Sequence, residues 1–589
     1  MTSPAPEPPS NTPPPWQYCG HDATSADPVG CRGIHVPGHT TCLAHLADTD
    51  RDAYLNDLTP GADIDHRGTP FTEDLLRRLL AALHDPTTSQ AHIGIAWFEG
   101  ATFTGDARFD SATFTGDARF DSATFTGDAW FERATFTNNA QFDSANFTGD
   151  ARFDSATFTG DAWFGEATFT NHARFDSATF TNVWFGGVTF TDTAWFNSAT
   201  FTNIAWFGCA TFTSAAGFNR ARFEAASRLG PLVCGEEVEL DGAVFDQPVT
   251  MEMAAREVSC VRTQWASTAT LHLRYAEVDL RDAVLEYPVV VAARPDPFPS
   301  FLSNDPLSEA GLSGREPGVR LTSVGGVDAA HLVLHTIDLS MCWFAGAIHL
   351  DQLRVDGWCT FATTPTGRRW SRRNTLTEEH HWRVRTAGRP ARAHGWTTPP
   401  RDAPELPPAA VASLYRQLRK SLEDGKNEPD AADFYYGECE MRRHDTTRPQ
   451  SERALLTAYW ALSGYGLRAA RALVWLGAAM AATVAVMVLW GLPVDDPKPA
   501  TTGRQAAVGQ QVTLTTDTPD PVNPTGPLPD RATSERFEKA LRVVVNSVVF
   551  RSSGQDLTTI GTYTEMVSRL AEPVLLGLAV LAVRSRVKR

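Results

Sequence analysis

The sequence has few basic residues for its length. Its 52 Lys and Arg residues stand against 69 Asp and Glu residues, which gives a formal net charge of -17. A protein that is held on nucleic acid by phosphate contacts needs a basic face, so this composition argues against nucleic acid as a partner. The acidity instead favours solubility, or the attraction of a basic partner.

Cysteine is also scarce, and recognisable catalytic motifs are missing. Nine cysteines spread over 589 residues do not make a disulfide framework. The N-terminal stretch MTSPAPEPPSNTPPP lacks the basic and apolar blocks of a signal peptide, so we expect the bulk of the chain to be cytosolic. The sequence has no G-x-G-x-x-G after a strand, no G-x-x-x-x-G-K-[ST], no G-x-S-x-G and no zincin motif. An enzyme is therefore disfavoured.

A phenylalanine repeat is abundant. From Phe98 to Phe223 the spacing of the phenylalanines alternates between five and six residues for most of the length, so the true period is eleven. That period can also specify supercoiled helices, but Thr, Gly, Asp and Phe at this density are poor helix formers. A small residue usually lies two positions before each Phe, as Ala101 does before Phe103. The pattern therefore predicts short β-strands with one large and one small inward side chain per unit.

The repeat resembles the pentapeptide-repeat family, whose A-x-F-x-x or A-x-L-x-x units each form one side of a right-handed, quadrilateral β-helix. The whole chain is similar to membrane-associated members of actinobacterial type. The resemblance implies a mainly β solenoid, and two eleven-residue units imply 22 residues per coil. In each six-residue step the second residue after Phe is Gly or Asn, which we expect to adopt positive φ at a bulged corner. These residues are Gly105, Gly116, Gly127, Asn138, Gly149, Gly160 and Asn171.

The regular spacing changes in two places. Between Phe175 and Phe190 three successive steps are five residues long, which predicts a missing bulge and a local change of shape without a break. Residues 226–361 keep a weaker pattern and are interpreted as a degenerate continuation with insertions, one of them the Pro-rich segment 294–306. Because the terminal coils of a solenoid offer unpaired backbone, we expect other elements to cover both ends.

A cluster of Cys and His lies near the N-terminus, where Cys19, Cys31, Cys42 and His45 fall within one short segment. Three thiolates and one imidazole are enough for a closed tetrahedral Zn²⁺ site, and the C-x-x-H spacing suits chelation from one turn. A short Gly- and Pro-rich segment cannot bury enough apolar area to fold alone, so a structural metal would explain its order. The alternative is a tail with incidental cysteines.

Helices and linkers are predicted around the repeat. Residues 72–85 have the apolar spacing of a helix that would cap the first coil. The segment Glu378 to His381 lacks the H-E-x-x-H spacing and is interpreted as surface.

The predicted division of the chain has nine parts. It is 1–50, N-terminal tail and zinc module; 51–95, helical cap; 96–225, pentapeptide-repeat β-helix; 226–361, degenerate continuation; 362–408, linker; 409–445, helical hairpin; 446–492, amphipathic segment and first transmembrane helix; 493–536, extracytoplasmic disordered loop; 537–589, short re-entrant or interfacial helix and second transmembrane helix.

Two apolar segments of the C-terminal region predict membrane spans. Residues 473–492 carry no charge and are long enough to cross about 30 Å of hydrocarbon. A second span starting near Met566 includes Arg569 and Glu572, which must pair, face protein or lie near an interface. Basic residues flank the outer ends of both spans, so both termini are predicted to be cytoplasmic. These residues are Arg442, Arg443, Arg453, Arg468, Arg471, Arg584, Arg586, Lys588 and Arg589.

The order of a span, a loop, a short apolar helix, a polar turn and a second span resembles that of two-span pore-loop cation channels. The turn LTTIGTY is similar to the T-x-G-Y-G filter approach at Thr558, Thr559, Ile560 and Gly561. The second glycine of that filter is absent here. Because glycine permits the backbone conformation that presents consecutive carbonyls to an ion, its loss argues against selective conduction.

These observations leave two classes of function open. In the first, the protein is a membrane-anchored, non-catalytic scaffold whose solenoid presents a protein-interaction surface on the cytoplasmic face. In the second, the solenoid gates or assembles a channel-like pore. The absence of the second filter glycine favours the scaffold. A lower-ranked alternative follows from the family resemblance, since some members mimic DNA and capture topoisomerases. The expected partners are the membrane, an unidentified protein and a second copy of this chain through the membrane region, without nucleic acid and with no cofactor besides Zn²⁺.

Overall fold

The computed structural model describes residues 12–301, 303, 305–365, 372–401, 403–494, 497–504, 507–509 and 511–587. The chain divides into two compact units, residues 1–404 and 405–589. The first unit contains a β-solenoid of about 12 turns over residues 92–356, and the second consists mainly of helices. The predicted fold class is therefore confirmed. The start of the predicted N-terminal tail (1–11) and the basic residues Lys588 and Arg589 lie outside the described residues.

Each regular coil of the solenoid has four short sides. Phe103 pairs in parallel with Phe125, so one coil consists of two eleven-residue units, as predicted. Successive residues of a strand point to opposite faces, so each two-residue strand sends Phe or Ala inward and a mostly polar residue outward. In one representative coil the sides are Thr102–Thr104, Ala107–Arg108, Thr113–Phe114 and Ala118–Arg119.

The stacked coils arrange their strands in three parallel sheets within the described residues. The first sheet contains Pro70–Thr72, Thr102–Thr104, Thr124–Phe125, Asn146–Phe147, Thr168–Phe169, Thr189–Phe190, Thr211–Phe212, Arg228–Cys234, Val249–Ala254, Ala269–Arg274, Val289–Ala293, Leu332–His335 and Arg354–Asp356. The second contains Ala107–Arg108, Ala129–Trp130, Ala151–Arg152, Ala173–Arg174, Ala194–Trp195, Ala216–Gly217, Glu237–Glu239, Glu257–Ser259, Glu277–Asp279 and Arg320–Ser323. The third covers two sides of the regular coils.

The third sheet contains Ile64–Asp65, Gln90–Ile93, Ala96–Trp97, Thr113–Phe114, Ala118–Arg119, Thr135–Phe136, Ala140–Gln141, Thr157–Trp163, Thr179–Trp184, Thr200–Trp206, Arg222–Phe223, Val244–Phe245, Gln264–Trp265 and Val284–Leu285, with His84–Asp85 antiparallel to Gln90–Ile93. Two separate antiparallel hairpins pair Ala362–Thr363 with Asn374–Thr375 and Ala500–Gly503 with Leu514–Asp517. Short 3-10 turns occur at Leu43–His45, Ala310–Leu312, Ala329–His331, Leu350–Gln352 and Leu528–Arg531.

Phenylalanine rings fill the interior of the solenoid in register. Along one column the rings of Phe125 and Phe147 are parallel, with centroids 4.6 Å apart. Between columns the rings of Phe131 and Phe142 meet edge to face at 5.5 Å. Edge-to-face and stacked contacts both add to the free energy gained by burying the rings. Every phenylalanine from Phe98 to Phe223 is buried, so the predicted inward repeat is confirmed.

The conformations of the corners differ from the prediction. Of the Gly and Asn residues expected to have positive φ, only Gly105 does, with φ 93°. Left-handed residues lie at the other corners, where Ser111 has φ 55° and the Ala112 N–H donates to the Phe109 carbonyl at 3.1 Å. Glycine is required at Gly127 for space instead, because an added Cβ would lie 2.4 Å from the carbonyl carbon of Gly105.

The missing bulge lies where the spacing predicts it. Phe169 pairs with Phe190, so this coil is one residue shorter than the regular coils. The pairing register also shifts where the strand Thr179–Trp184 lies between Thr157–Trp163 and Thr200–Trp206. Pairing continues on both sides of the shift. The solenoid therefore changes shape locally without a break, as predicted.

Residues 226–361 continue the solenoid with shorter coils. Val258 pairs with Val278, so the coil between them is two residues shorter than the regular coils. Val278 then pairs with Leu321, because the chain leaves the solenoid and returns between them. The insertion is therefore longer than the predicted segment 294–306.

Helices α1 (Asp48–Asp57) and α2 (Glu73–Ala82) lie near the N-terminal end of the solenoid. The Thr72 side chain caps α2 by accepting a hydrogen bond from the Leu75 N–H, and Leu76 and Leu79 are buried. Helix α2 contacts the strand Ala107–Arg108. The predicted helix is therefore present beside the first regular coil.

Helices α3 (Thr377–Ala387) and α4 (Arg389–Ala393) lie in residues 362–408, which were expected to be a linker. The Glu378 carboxylate accepts hydrogen bonds from the backbone N–H groups of Phe344 (2.6 Å) and Ala345 (3.0 Å). These N–H groups belong to the last part of the solenoid and would otherwise face a further coil. Helix α3 therefore closes this end. Its buried residues correct the prediction of a surface segment: Glu378, Glu379, His380 and His381 are at most 5% exposed.

The second unit contains α5 (Pro408–Asp424), α6 (Glu428–His444), α7 (Gln450–Ser463), α8 (Ala469–Val486), a π-helical turn (Met487–Gly491), α9 (Ser534–Val548) and α10 (Thr559–Val587). Helices α5 and α6 pack together as the predicted hairpin, with Tyr415 and Phe434 edge to face and buried. The loop 493–536, expected to be disordered, carries the exposed hairpin of Ala500–Gly503 and Leu514–Asp517.

Candidate metal centre and membrane helices

The structure brings together the four residues predicted as metal ligands. One ligand atom from each of Cys19, Cys31, Cys42 and His45 lies within 4.8 Å of all the others. Cys42 Sγ is 3.6 Å from Cys31 Sγ and 3.4 Å from His45 Nδ1. Cys19 Sγ is 3.5 Å from the same His45 nitrogen. At the usual Zn–S and Zn–N bond lengths, a tetrahedral zinc site separates its ligand atoms by about 3.5 Å. The cluster therefore has the dimensions of a closed zinc site.

Two local structures position these ligands. A bridge between Tyr18 and Ile34 aligns the segments that carry the first two cysteines, and the Cys19 N–H donates to the Gly33 carbonyl at 2.8 Å. The other two ligands share the turn that leads into Leu43–His45, where the His45 N–H donates to the Cys42 carbonyl at 3.0 Å. The C-x-x-H spacing therefore brings Cys42 Sγ and His45 Nδ1 to 3.4 Å from each other.

Gly33 is a residue of the site that the sequence does not reveal. An added Cβ would lie 2.6 Å from Cys42 Cβ and 2.8 Å from Cys42 Sγ. Its N–H also lies 3.4 Å from Cys31 Sγ, to which it donates. Its backbone thus passes directly beside two ligands. No feature of the sequence marks Gly33 as part of the site, because its sequence context differs little from that of the other glycines of the segment.

The pKa values of the two neighbouring thiols are shifted in opposite directions. The pKa of Cys31 is lowered to about 5, mainly because the Cys42 thiol donates a hydrogen bond to its sulfur. The same hydrogen bond, together with burial, raises the pKa of Cys42. Thiolates are the form that binds metal, and a bound cation would favour loss of the second proton as well.

The cluster is fixed to the beginning of the solenoid. The Ile34 N–H donates to the Arg67 carbonyl at 2.8 Å, and the Arg67 guanidinium lies 5.0 Å from the centroid of the Trp16 ring. Gly68 has φ 63°, and an added Cβ there would lie 2.4 Å from the Arg32 carbonyl oxygen. The segment that carries the Cys and His cluster and the first strands therefore form one packed structure.

Three other histidines of the segment are not part of the four-residue Cys and His cluster. His21 stacks on His45 at 4.2 Å and, with Asp22, forms an exposed group that shares His45. His35 Nε2 lies 2.8 Å from the Tyr18 carbonyl, and His39 faces Asp50 at 3.9 Å. The arrangement thus favours the Cys and His set over a set rich in histidine.

Two helices of the second unit are long and apolar enough to cross a membrane. They are Ala469–Gly491 and Thr559–Arg584. Glu572, in the second of them, is buried against the first, with its Oε1 accepting a hydrogen bond from Thr483 Oγ1 at 3.0 Å. Arg569 donates to the Phe550 carbonyl at 3.0 Å. Both charged residues therefore bond to protein groups, one of the arrangements that the sequence allows.

The residues similar to a pore filter take part in helix packing. Thr559, Ile560 and Gly561 form the beginning of α10, so this segment is helical and not an extended row of carbonyls. Thr558 Oγ1 donates to the Trp490 carbonyl at 2.8 Å. A Cβ on Gly561 would lie 2.2 Å from the Gly491 carbonyl oxygen, so glycine is required for the close approach of two backbones.

The stacked coils and their phenylalanine and alanine interior define the first unit as a parallel β-solenoid. The comparison with protein families identifies its repeats. Residues 109–157, 131–179 and 153–200 match the family described as pentapeptide repeats (9 copies). No curated protein and no solved structure matches the chain. The actinobacterial relationship and the pore-loop resemblance are not confirmed by these comparisons.

Proposed function

We propose that the protein is a membrane-anchored, non-catalytic scaffold whose solenoid presents a protein-interaction surface to the cytoplasm. The observation that carries the proposal is the presence in one chain of an unbroken pentapeptide-repeat solenoid and two helices with the length and composition of membrane spans. A solenoid displays regular columns of outward side chains over a long surface, which suits the binding of other proteins.

The proposed orientation places both termini in the cytoplasm and residues 493–536 outside. Basic residues flank the outer ends of the two spans, in agreement with the positive-inside rule. Two arginines lie near the ends of the spans that face residues 493–536, and these arginines bond to backbone carbonyls. Arg536 donates to the carbonyls of Val488 and Pro493 at 2.7 to 3.1 Å, and Arg531 donates to a neighbouring carbonyl. Cations at the C-terminal end of a helix satisfy its free carbonyls, so these two residues are compatible with an outward loop.

The proposed role of the N-terminal cluster is to hold a structural Zn²⁺. Cys19, Cys31, Cys42 and His45 supply the three sulfurs and one nitrogen of a closed site, which leaves no position for a substrate. The metal would tie a segment with few apolar residues to the first strands. We expect about one zinc per chain in the purified protein and a loss of that zinc in the double variant Cys31→Ser, Cys42→Ser.

We do not propose ion conduction. The helical conformation of Thr559 to Gly561 and the close packing of Gly561 on Gly491 give these residues a structural explanation.

Self-association through the second unit is part of the proposal. The mass of the detergent-solubilised chain tests it, and a mass above that of one chain is expected.

Proximity labelling tests the scaffold directly. The full chain, fused to a labelling enzyme at its N-terminus, should mark a defined set of cytoplasmic proteins. The matched control is residues 405–589 with the same fusion, which keeps the second unit and lacks the solenoid. Labelling of the same proteins at the same level by both chains would contradict the proposal, because the solenoid would then add no interaction.

A further inference from the structure

One side of the solenoid carries three tryptophans in consecutive coils. Trp163 pairs with Trp184, and Trp184 with Trp206, so the three side chains form one outward column. The first two indole rings are stacked, with centroids 5.4 Å apart. All three are only partly buried. Outward positions in the neighbouring regular coils are mostly polar, so a run of three indoles is a departure from the pattern.

The corner beside this column is cut back to glycine in the same three coils. Gly165, Gly186 and Gly208 follow the inward phenylalanines where earlier coils have an aspartate such as Asp143. A Cβ on Gly208 would lie 2.5 Å from Trp206 Cε2, and one on Gly186 would lie 2.8 Å from Trp206 Cζ3. The indole of Trp206 therefore lies directly on glycine backbone. Side chains at Gly186 and Gly208 would fill the space that this ring occupies.

The solenoid insertion completes the same surface from a distant part of the chain. The ring of Phe301 lies 6.0 Å from that of Trp206. The Phe301 N–H donates to Cys209 Sγ at 3.4 Å, which anchors the insertion at this corner. Together these groups line a cavity of about 320 Å³, a volume near the lower limit of known ligand pockets. Two separate departures from the repeat thus build one aromatic groove, made by Trp163, Trp184, Trp206 and Phe301.

The groove has an acidic rim. Asp143 and Glu166 line it, and none of the described residues that line it is Lys or Arg. Outside that lining, the guanidinium of Arg228 lies over the Phe301 ring, 4.8 Å from its centroid, and is paired with a carboxylate of its own. Asp143 Oδ1 accepts a hydrogen bond from the Gly165 N–H at 2.7 Å, which holds this carboxylate beside the glycine corner. Glu166 is exposed. Aromatic faces attract cations, and nearby carboxylates strengthen that preference. Charge complementarity therefore favours a basic side chain as the occupant.

We infer that the aromatic groove binds an arginine side chain presented on an apolar, extended segment of a partner protein. The inference rests on the proposed scaffold function and gives that surface a place and a ligand chemistry. The guanidinium lies against the rings and pairs with Glu166 at the rim. Flanking apolar residues, of which proline is well suited because it preorganises an extended backbone, cover the remaining indole surface.

Peptide binding to the full-length chain in detergent tests the inference. The probe is acetyl-Pro-Pro-Arg-Pro-Pro-amide carrying a neutral fluorophore, and its matched control has Glu in place of Arg. Fluorescence anisotropy should show saturable binding of the Arg peptide and binding of the Glu peptide weaker by about tenfold. Trp184→Ala should weaken the Arg peptide by about tenfold, and Glu166→Lys should do the same.

Trp195→Ala is the matched control variant, since Trp195 is an outward tryptophan of a different sheet. It should bind the Arg peptide as the unaltered chain does. No saturable binding, equal binding of the two peptides, or binding unaffected by Glu166→Lys would overturn the inference. Glu166 is exposed, so its replacement tests the groove even if Trp184→Ala does not fold. If peptide binding fails, the proximity-labelling result still stands. If the scaffold function itself is wrong, the full chain and residues 405–589 will label the same proteins equally.

Discussion

Gly33 shows how a single residue determines whether the four N-terminal ligands can meet. Gly33→Ala would place a methyl group 2.6 Å from Cys42 Cβ, so the cysteine must move away from the other ligands. We expect zinc affinity to fall by about 10- to 100-fold, as for other changes that displace a ligand from its support. Competition between the full-length chain and a chromophoric chelator measures this. His39→Asn is the control, because His39 faces Asp50 outside the ligand set. Equal affinities of the glycine variant and the unaltered chain would contradict the account.

Phe147 tests the stacked interior. Its ring lies between those of Phe125 and Phe169, at 4.6 and 4.7 Å. Phe147→Ala removes both contacts and leaves a cavity that the rigid coils cannot close. We expect the free energy of unfolding of the solenoid to fall by about 3 to 5 kcal/mol, measured by chemical denaturation.

The neighbouring Asn146 provides the matched control for that change. Asn146 is exposed and pairs with threonines in the coils on either side. Asn146→Thr should therefore leave the unfolding free energy nearly unchanged. A similar loss in both variants would mean that the position in the coil, and not the buried ring, sets the stability.

At the residue scale, inward positions were easier to predict from the sequence than corners. Phe103 and Ala101 could be assigned to the interior because size and polarity alternate along the repeat. The corners could not, because Ser111 adopts positive φ although glycine does so more readily. The actual reason for Gly127 is the backbone of the coil before it, a contact between residues far apart in sequence.

At the scale of elements, α3 shows how one carboxylate ends the solenoid. Glu378→Ala would leave the N–H groups of Phe344 and Ala345 without their acceptor, at about 1 to 3 kcal/mol each. Glu378→Gln should restore most of this loss, because its amide oxygen can accept the same bonds. Hydrogen exchange of these two amides in the full-length chain measures the effect. Unchanged protection in Glu378→Ala would show that other groups close the end.

The same helix should respond to pH. Burial lowers the pKa values of His380 and His381 to about 4, from an ordinary value of 6.5. The unfolded segment therefore binds protons that the folded segment does not, so stability is full above pH 6.5 and falls as pH drops towards 4. Burial raises the pKa of Glu378 to about 7, which acts in the opposite direction. The two histidines together outweigh this single carboxyl between pH 4.5 and 6.5.

Hydrogen exchange of α3 at about pH 7.5 and about pH 5, corrected for intrinsic rates, checks this response. The helix should be less protected at the lower pH. His381→Phe keeps an aromatic ring beside Trp343, 5.6 Å from the present imidazole, and cannot titrate, so the difference between the two pH values should shrink. The exposed His349→Asn is the control and should keep the full difference. An unchanged difference in His381→Phe would exclude this histidine as a source.

Some elements follow from the sequence and others do not. The helical hairpin could be predicted because its apolar residues, such as Tyr415, recur at helical spacing. Helix α3 could not, because part of the burial of its polar residues comes from a distant segment, where the Phe344 N–H donates to Glu378 and the Trp343 ring stacks on His381. The aromatic groove was missed for the same reason, since Phe301 reaches Trp206 from an insertion.

At the scale of the whole molecule, the proposed function combines a solenoid unit with a unit that contains two candidate membrane spans. The division at residue 404 separates a unit rich in short strands from one that contains both candidate spans. Glu572 and Thr483 link those two helices by a hydrogen bond, which is compatible with a pair of spans that pack in a bilayer. A repeat domain tethered in this way would recruit its partners to the membrane surface.

Alkaline carbonate extraction of cell membranes tests this central claim most directly. Carbonate releases peripheral proteins and leaves those that span the bilayer. The full chain should remain in the membrane pellet, and residues 1–404, which lack both candidate spans, should appear in the supernatant. Release of the full chain into the supernatant would contradict the account, because the two apolar helices would then be buried within a soluble protein.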